Sequence, residues 1–171
     1  EFRTLLRSLA RGRRDAAPVM SEVNRALAED NPALMFVTVF YMVCHVPTGR
    51  AVCCNAGHPP PFYRDGGAWR PLAEACCHGM ALGVESDAAY REHEFVLARE
   101  SILLLYSDGL TEAPDRTDRM FGEEGVSRLL HAQAEAAPAV LTDALMRAAK
   151  AHQTGREQFD DITVLALQYH A

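Results

Sequence analysis

Apolar residues recur at two different spacings along this chain, and each spacing predicts one type of element. In residues 2–10 they fall three, four and seven positions apart, which places them on one face of a helix. That face consists of Phe2, Leu5, Leu6 and Leu9. A second helix is predicted from about Pro18, because proline suits a first helical turn, to the polar residues 29–32. The chain should therefore open with two helices that pack on later elements.

A long apolar run rich in Val, Phe and Tyr covers residues 34–46 and predicts a strand. Turn-forming residues 47–50 follow, and a returning strand through Ala56 completes an expected β-hairpin. Residues 73–90 lack periodicity and are expected to form an irregular loop. Further strands are predicted at residues 62–63, 69–72, 91–97, 101–106 and 162–169.

Two more helices are predicted late in the chain, at residues 122–136 and from Pro138 to a closing glycine, Gly155. The order of elements is then a helix pair, a group of strands, a second helix pair and a last strand. That order indicates helices layered on antiparallel sheet, which is an α+β fold. A length of 171 residues suits one core, so we expect a single domain over residues 1–171.

Composition narrows the possible functions. A formal net charge of −6 argues against a nucleic-acid-binding surface, which would carry clustered Lys and Arg. The short basic run at residues 11–14 is typical of solvated surface, and contact with a partner or neighbouring domain is the alternative. No apolar stretch approaches the ~20 residues of a membrane span, and the first residues lack a signal-peptide pattern. We therefore expect a cytoplasmic protein with no membrane span and no nucleic-acid partner.

The cysteines fit neither a disulfide framework nor a zinc site. They form an odd set with two adjacent pairs, and no C-x-x-C spacing occurs. The five are Cys44, Cys53, Cys54, Cys76 and Cys77. Because a free cysteine behaves as a small hydrophobic residue, we expect reduced and mostly buried thiols.

Two acidic segments occupy similar positions relative to predicted strands. Asp108 follows the strand that ends at Tyr106. Asp160 and Asp161 precede the strand that begins at Ile162. Neighbouring antiparallel strands would bring both segments to one sheet edge, where carboxylates could bind Mg²⁺ or Mn²⁺. Ordinary turn aspartates show the same placement, so spacing leaves both interpretations open.

Four segments of the chain, in order, match one family of phosphatases. They are residues 35–41 (MFVTVFY), 55–60 (NAGHPP), 104–113 (LLYSDGLTEA) and 160–164 (DDITV). A helix start at residues 121–124 (FGEE) lies between the last two. Each segment is weakly specific, but together, in this order, they span nearly the whole chain and are highly specific. The chain resembles metal-dependent PPM-type serine/threonine phosphatases of the stage II sporulation protein E-like, sigma-factor-regulating branch.

This resemblance implies a bacterial signalling enzyme with an antiparallel β-sandwich flanked by helices on both faces. It implies a centre of two Mn²⁺ or Mg²⁺ ions that hydrolyses phosphoserine or phosphothreonine through metal-activated water. Asp108 and Asp160 match the family's metal ligands, and Gly109 matches the glycine beside the first ligand, where a side chain would crowd the site. The substrate implied is a phosphorylated regulatory protein of the anti-sigma-factor-antagonist type.

The Asn55, Gly57 and His58 motif admits several roles. His58 could act as an acid, a metal ligand or a hydrogen-bonded loop anchor. We favour the anchor, because imidazole is a softer ligand than an oxygen-rich site of this type usually employs. The proline run after His58 also indicates a rigid turn out of a strand.

The sequence departs from the family at its start. The family carries N-terminal strands with an acidic residue and an Asp-x-Ser-Gly-x-Gly segment that supplies further ligands, and neither occurs here. We expect the C-terminal portion of a phosphatase domain, with a sensor domain N-terminal to it in the parent protein. We also expect this chain to bind Mn²⁺ weakly and to have little activity. The alternative is a non-catalytic, phosphatase-like interaction domain that regulates a partner by binding.

Overall fold

The computed structural model describes residues 2–29, 31–72, 79–155 and 160–170. The helices are α1 (Phe2–Leu9), α2 (Ala16–Glu29), α3 (Asp108–Thr111), α4 (Gly122–Ala132) and α5 (Pro138–His152). The strands are β1 (Val39–His45), β2 (Arg50–Ala56), β3 (Phe62–Asp65), β4 (Ala68–Pro71), β5 (Glu92–Val96), β6 (Ile102–Tyr106) and β7 (Val164–Gln168). No helix among these residues is both long and apolar enough to cross a membrane.

The elements divide into two compact units. The first contains the described parts of Glu1–His58 and Ala73–Leu97, and the second those of Pro59–Leu72 and Ala98–His170. Each unit has one antiparallel sheet and its own helices. The predicted α+β class is therefore confirmed, whereas the extent of a single domain over residues 1–171 stays a prediction.

In the first unit, strands β1, β2 and β5 form a three-stranded sheet in that order, and α2 packs on it. The apolar stripe of α2 explains this packing, because its core-facing residues are fully buried. They are Ala16, Val19, Met20 and Val23. The helix is capped from the sheet, since Glu92 Oε2 accepts the backbone N–H of Ala16 at 2.8 Å and of Ala17 at 3.0 Å.

The first strand begins later than the apolar run predicts. Residues 34–38 lie outside β1, and Leu34, Met35 and Phe36 are exposed. The Asn31 side chain donates to Met35 O at 2.6 Å and accepts the Met35 N–H at 2.8 Å, which takes both backbone groups away from strand pairing. Leu34 adopts a left-handed φ of 52° in the same turn. The prediction of strand was wrong for residues 34–36, because the Asn31 side chain occupies the Met35 backbone, whereas Val37 forms an isolated antiparallel bridge with Leu82.

In the second unit, the sheet order is β4-β3-β6-β7 and helices α4 and α5 supply one side of its core. Strand β6 is buried at four of its five residues, as its continuous apolar run predicts. The core cluster joins sheet residues Phe62, Leu104 and Tyr106 with helix residues Val126, Leu130, Leu141 and Leu145. Helix α4 ends at Ala132, earlier than predicted, and the short α3 was not predicted.

Candidate metal centre

The pairing of β6 with β7 places the two acidic segments at one end of the second unit's sheet. Tyr106, the last residue of β6, pairs with Val164, the first residue of β7. Asp108 lies two residues after Tyr106, and Asp160 lies four residues before Val164. The two segments therefore leave the sheet at the same edge, as the antiparallel arrangement predicts.

Ser107 joins the two acidic segments by three hydrogen bonds. Its Oγ donates to Asp161 O at 3.0 Å and accepts the Thr163 N–H at 2.9 Å. Its backbone N–H donates to Thr163 O at 2.9 Å. These bonds hold the residues before Asp108 against those after Asp160. Ser107 was not among the predicted site residues. A hydroxyl beside an Asp-Gly pair at a strand end indicates a side-chain to backbone bond, but its partners here depend on the pairing of β6 with β7.

Gly109 lies against the backbone of the second acidic segment. A Cβ at this position would stand 2.5 Å from Asp161 O and 3.5 Å from Asp160 C. Real Cβ atoms do not approach a backbone oxygen that closely, so only glycine allows the two segments to meet. The required glycine beside Asp108 thus has a steric cause in this fold.

The Asp108 and Asp160 side chains are both exposed at this edge. Asp108 Oδ1 accepts the N–H of Gly109 at 3.0 Å, and Asp160 Oδ1 accepts the N–H of Asp161 at 2.7 Å. Each carboxylate is thus oriented by the residue that follows it. Exposed carboxylates on a fixed backbone suit Mg²⁺ or Mn²⁺, which prefer oxygen ligands and retain several waters.

The donor set at this edge is small. In the described ranges, no three residues of the His, Cys, Asp and Glu types come together as a metal-binding group. Asp108 and Asp160 therefore fit part of a metal centre, and further oxygen ligands would have to come from water, substrate or other residues. That these two residues and Gly109 form a metal site stays a prediction.

The Asn55 motif forms a closed corner in the first unit. Asn55 is 3% exposed; its Nδ2 donates to His58 O at 2.9 Å and its Oδ1 accepts the His58 N–H at 2.8 Å. Gly57 has a φ of +74°, and a Cβ there would lie 3.0 Å from the backbone nitrogen of Ala81. The buried Asn55 amide thus anchors the turn through the backbone of His58, while the anchor role favoured for the His58 side chain stays a prediction.

The described cysteines lie in surroundings that are typical of structural thiols and not of reactive ones. Cys53 and Cys54 are buried, Cys44 is half-buried, and none of the three is in a disulfide. Burial, and secondarily the nearby Glu92 charge, raise the pKa of Cys54 to about 12. A thiol with so high a pKa is a poor nucleophile near neutral pH. Cys76 and Cys77 lie outside the described residues.

Sequence comparison identifies relatives of this chain. The family model "Stage II sporulation protein E (SpoIIE)" matches residues 1–170. The chain is 31% identical over 108 residues to phosphoserine phosphatase RsbU of Bacillus subtilis, which covers 61% of this chain and 30% of RsbU. It spans 22% to 30% of the length of the curated relatives that it matches.

Solved structures have the same fold. The SiaA-PP2C domain of Pseudomonas aeruginosa matches with a TM-score of 0.80 at 23% identity, over 98% of this chain and 69% of that one. The phosphatase domain of the cell fate determinant SpoIIE from Bacillus subtilis, presoaked with Mn, matches with a TM-score of 0.66 at 18% identity, over 99% of this chain and 74% of that one. With a family match over nearly its whole length, the chain belongs to the SpoIIE family of PP2C-type serine/threonine phosphatase domains.

Proposed function

We propose that this chain is part of a metal-dependent protein phosphatase that hydrolyses phosphoserine or phosphothreonine on a regulatory protein. One observation carries the proposal: the Ser107 bonds and the Gly109 contact hold two exposed aspartates at one sheet edge. Membership of the SpoIIE family supports the reaction type, and the relative RsbU is named a phosphoserine phosphatase.

In this proposal Asp108 and Asp160 hold Mn²⁺ or Mg²⁺, with two ions in the complete centre. A bound ion of this type supplies a water of lowered pKa and stabilises charge on the phosphoryl oxygens. The chain's own part is positional. The N–H groups of Gly109 and Asp161 orient the two carboxylates, and Ser107 fixes the distance between their segments.

The substrate in this proposal is a phosphorylated protein of the anti-sigma-factor-antagonist type, and the setting is cytoplasmic. The resemblance to the sigma-factor-regulating branch supports both statements. A protein substrate also suits an edge that stands open to solvent, because Asp108 and Asp160 are exposed and a phosphorylated loop could reach them.

A second candidate function is a non-catalytic interaction domain that regulates a partner by binding. The small donor set favours it, because among the described residues no three His, Cys, Asp or Glu side chains come together as a group that could hold a metal. Two carboxylates are few for a pair of ions that each take about six oxygen ligands.

Mn²⁺ titration with phosphate release separates the two candidates. In the full-length protein that contains this chain, we expect two-site Mn²⁺ binding by calorimetry and turnover of p-nitrophenyl phosphate and of a phosphoserine protein. In the 171-residue chain alone, we expect weak Mn²⁺ binding and little turnover. A full-length protein that binds its partner but neither binds Mn²⁺ nor releases phosphate would support the interaction domain instead.

A further inference from the structure

The second unit contains a pocket that the proposed phosphatase chemistry does not use. Its volume is about 610 Å³, which is in the range of small-ligand sites. It lies at the C-terminal end of α5, and its wall includes Ile162, two residues after Asp160. Two residues of extended chain span at most ~7 Å, so the pocket begins beside the candidate metal edge.

Two cations of α5, Arg147 and Lys150, line this pocket. A third cation, Arg116, comes from the loop after α3 and contacts two residues of the wall. Its Nε donates to Thr154 O at 2.9 Å, and its guanidinium lies within 3.0 Å of the position that a Cβ on Gly155 would take. A lysine in the last turn of a helix is ordinary, because it complements the helix dipole. Arg116 adds positive charge next to this wall from another segment.

A buried amide without a partner also lines the pocket. Gln153 is 7% exposed, and its Nε2 has no hydrogen-bond partner in the part of the chain that the structure describes. Buried donors are nearly always paired in native proteins, because an unpaired one loses its bonds to water without compensation. Together with the cations, this N–H group calls for an acceptor atom that carries negative charge.

Two apolar side chains also line the pocket, next to Thr154 and Gly155. Ile162 and Met146, which is 42% exposed, stand beside the cations and the amide. A ligand that suits this arrangement has an anionic tip on a short aliphatic stem. Glutamate and aspartate side chains have this form, and a phosphorylated serine has a bulkier tip with a larger negative charge, about −1.5 to −2 at neutral pH.

We propose that this pocket is a docking subsite for an acidic side chain of the phosphoprotein substrate, near its phosphorylated residue in sequence. The inference rests on the proposed function, because a substrate held at the Asp108 and Asp160 edge would place its neighbouring residues over Ile162. The pocket would then contribute to the choice of substrate rather than to the chemistry.

Peptide binding without metal tests the subsite directly. Three labelled phosphoserine peptides, flanked by glutamates, by glutamines or by a second phosphoserine, are titrated with the full-length protein in EDTA and followed by fluorescence anisotropy. We expect the double variant R147Q/K150Q to bind the glutamate peptide about fivefold more weakly, since two exposed ion pairs are lost, and to bind the glutamine peptide as wild type does. The matched double variant R25Q/R128Q, with exposed arginines on α2 and α4, should change neither affinity.

The outcomes decide between sources of the negative charge. The doubly phosphorylated peptide could bind more tightly than the glutamate peptide and lose this advantage in R147Q/K150Q. That result would indicate that the pocket binds a second phosphate group instead of an acidic side chain. Equal affinity of R147Q/K150Q and wild type for the glutamate peptide would overturn the subsite.

Gln153→Met supplies a readout that a purely structural role would not give. Methionine has a similar length but no N–H group, so the variant should melt at a higher temperature than wild type without peptide, and bind the glutamate peptide more weakly. A lower melting temperature with unchanged peptide affinity would show that Gln153 serves the fold alone, and would contradict the subsite.

Phosphate release with Mn²⁺ separates a failure of this inference from a failure of the proposed function. If the pocket is a subsite, R147Q/K150Q raises KM for the glutamate peptide, leaves kcat unchanged, and leaves p-nitrophenyl phosphate turnover unchanged. Charge-dependent peptide binding without phosphate release would contradict the proposed phosphatase function and support the subsite. Equal KM in variant and wild type, with normal turnover, would contradict the subsite and support the phosphatase function.

Discussion

Two turns in this protein share the same structural features: the turn at Asn55 in the first unit and the sheet edge with Asp108 and Asp160 in the second. Each places a polar side chain beside a glycine that has no room for a Cβ, and each fixes a turn with side-chain to backbone bonds. They differ in the exposure of the polar side chain and in the hydrogen bonds that it makes. Asn55 is 3% exposed and uses both ends of its amide on His58, whereas Asp108 and Asp160 are exposed and use one carboxylate oxygen on the next N–H.

This difference distinguishes polar residues that stabilise a turn from polar residues that can take part in binding or catalysis. At the corner, removal of the side chain would leave buried backbone groups unpaired, so the cost would fall on stability. At the edge, the backbone is held by Ser107 and by contact with Gly109, so the carboxylates can change while the turn survives. Five substitutions test this distinction.

Asp108→Asn should have the largest effect, and it should fall on activity. In the full-length protein we expect phosphatase turnover to drop at least about a thousandfold, because a neutral amide is a poor ligand for a hard cation and a bound ion contributes several kcal/mol. Thermal melting should stay within a few degrees of wild type. Asp143→Asn, the same change at an exposed position of α5, is the control and should be silent. Unchanged kcat would remove Asp108 from the mechanism.

Asn55→Ala should show the reverse pattern, with its main effect on stability. The variant loses two part-buried hydrogen bonds to the backbone of His58, so the free energy of unfolding should fall by about 1–3 kcal/mol. Urea denaturation measures this value. Gln133→Ala at an exposed site should change it by less than about 0.5 kcal/mol. A loss for Asn55→Ala as small as the control's would mean that the corner is held by other contacts.

Gly109→Ala should affect both properties, because its Cβ would displace the Asp161 carbonyl. We expect a loss of about 1–3 kcal/mol in unfolding free energy, as for other overpacked sites, and at least about a tenfold loss of kcat. Gly66→Ala is the comparison: its Cβ meets nothing within 4 Å, so only the strain of its φ of +65° is added and activity should persist. Full activity in Gly109→Ala would show that the two acidic segments need not touch.

Ser107→Ala should have a smaller effect, since it removes the Oγ bonds to Asp161 and Thr163 but keeps the backbone pair. A loss of about 1–2 kcal/mol is expected, with a rise in the Mn²⁺ dissociation constant as the second segment moves away. Ser86→Ala, at an exposed loop position, controls for loss of a hydroxyl. If Mn²⁺ affinity is unchanged, Ser107 does not position Asp160.

Asp115→Asn should have the smallest effect of the five substitutions. The Thr117 hydroxyl, and then the backbone N–H groups of Thr117 and Arg119, hold its pKa below the ordinary value of an aspartate. A lowered folded-state pKa stabilises the fold above the ordinary pKa of about 4, and this stabilisation disappears as the pH falls through the folded value. Asp115→Asn should therefore reduce the stability lost between neutral and strongly acidic pH in urea titrations. An identical acid dependence in the variant would exclude this contribution.

The sequence predicts the elements well where the apolar pattern is long and fails where one side chain decides the local structure. The α2 stripe and the continuous β6 run are found as expected, and the pairing of β6 with β7 brings the two acidic segments together. The start of β1 could not be predicted, because the Asn31 bonds to Met35 have no periodic signal. Helix α3 is too short to show one.

The meeting of the two acidic segments at one sheet edge could be predicted from the sequence, but the contacts that join them could not. The assignment of Asp108 and Asp160 as metal ligands stays a prediction, and the joining role of Ser107 depends on a register that only the folded sheet defines. The Gln153 pocket was invisible for a related reason. A glutamine after a helix is unremarkable in sequence, and its buried, unpaired amide exists only once α5 and the segment before β7 are in place.

The pairing of Tyr106 with Val164 makes the chemistry of this edge sensitive to chain length. Side chains of a strand alternate between faces, so one residue inserted or deleted between Asp160 and Val164 would shift every following residue of β7 by one place or rotate the acidic segment out of position. Among the described strands, β7 pairs with β6 alone and ends the sheet order, so the register of this one pair and the packing of β7 on α5 fix the place of the acidic segment. Relatives that vary freely in loop lengths elsewhere should keep this three-residue interval constant, and an engineered insertion there should uncouple metal binding from an otherwise intact fold.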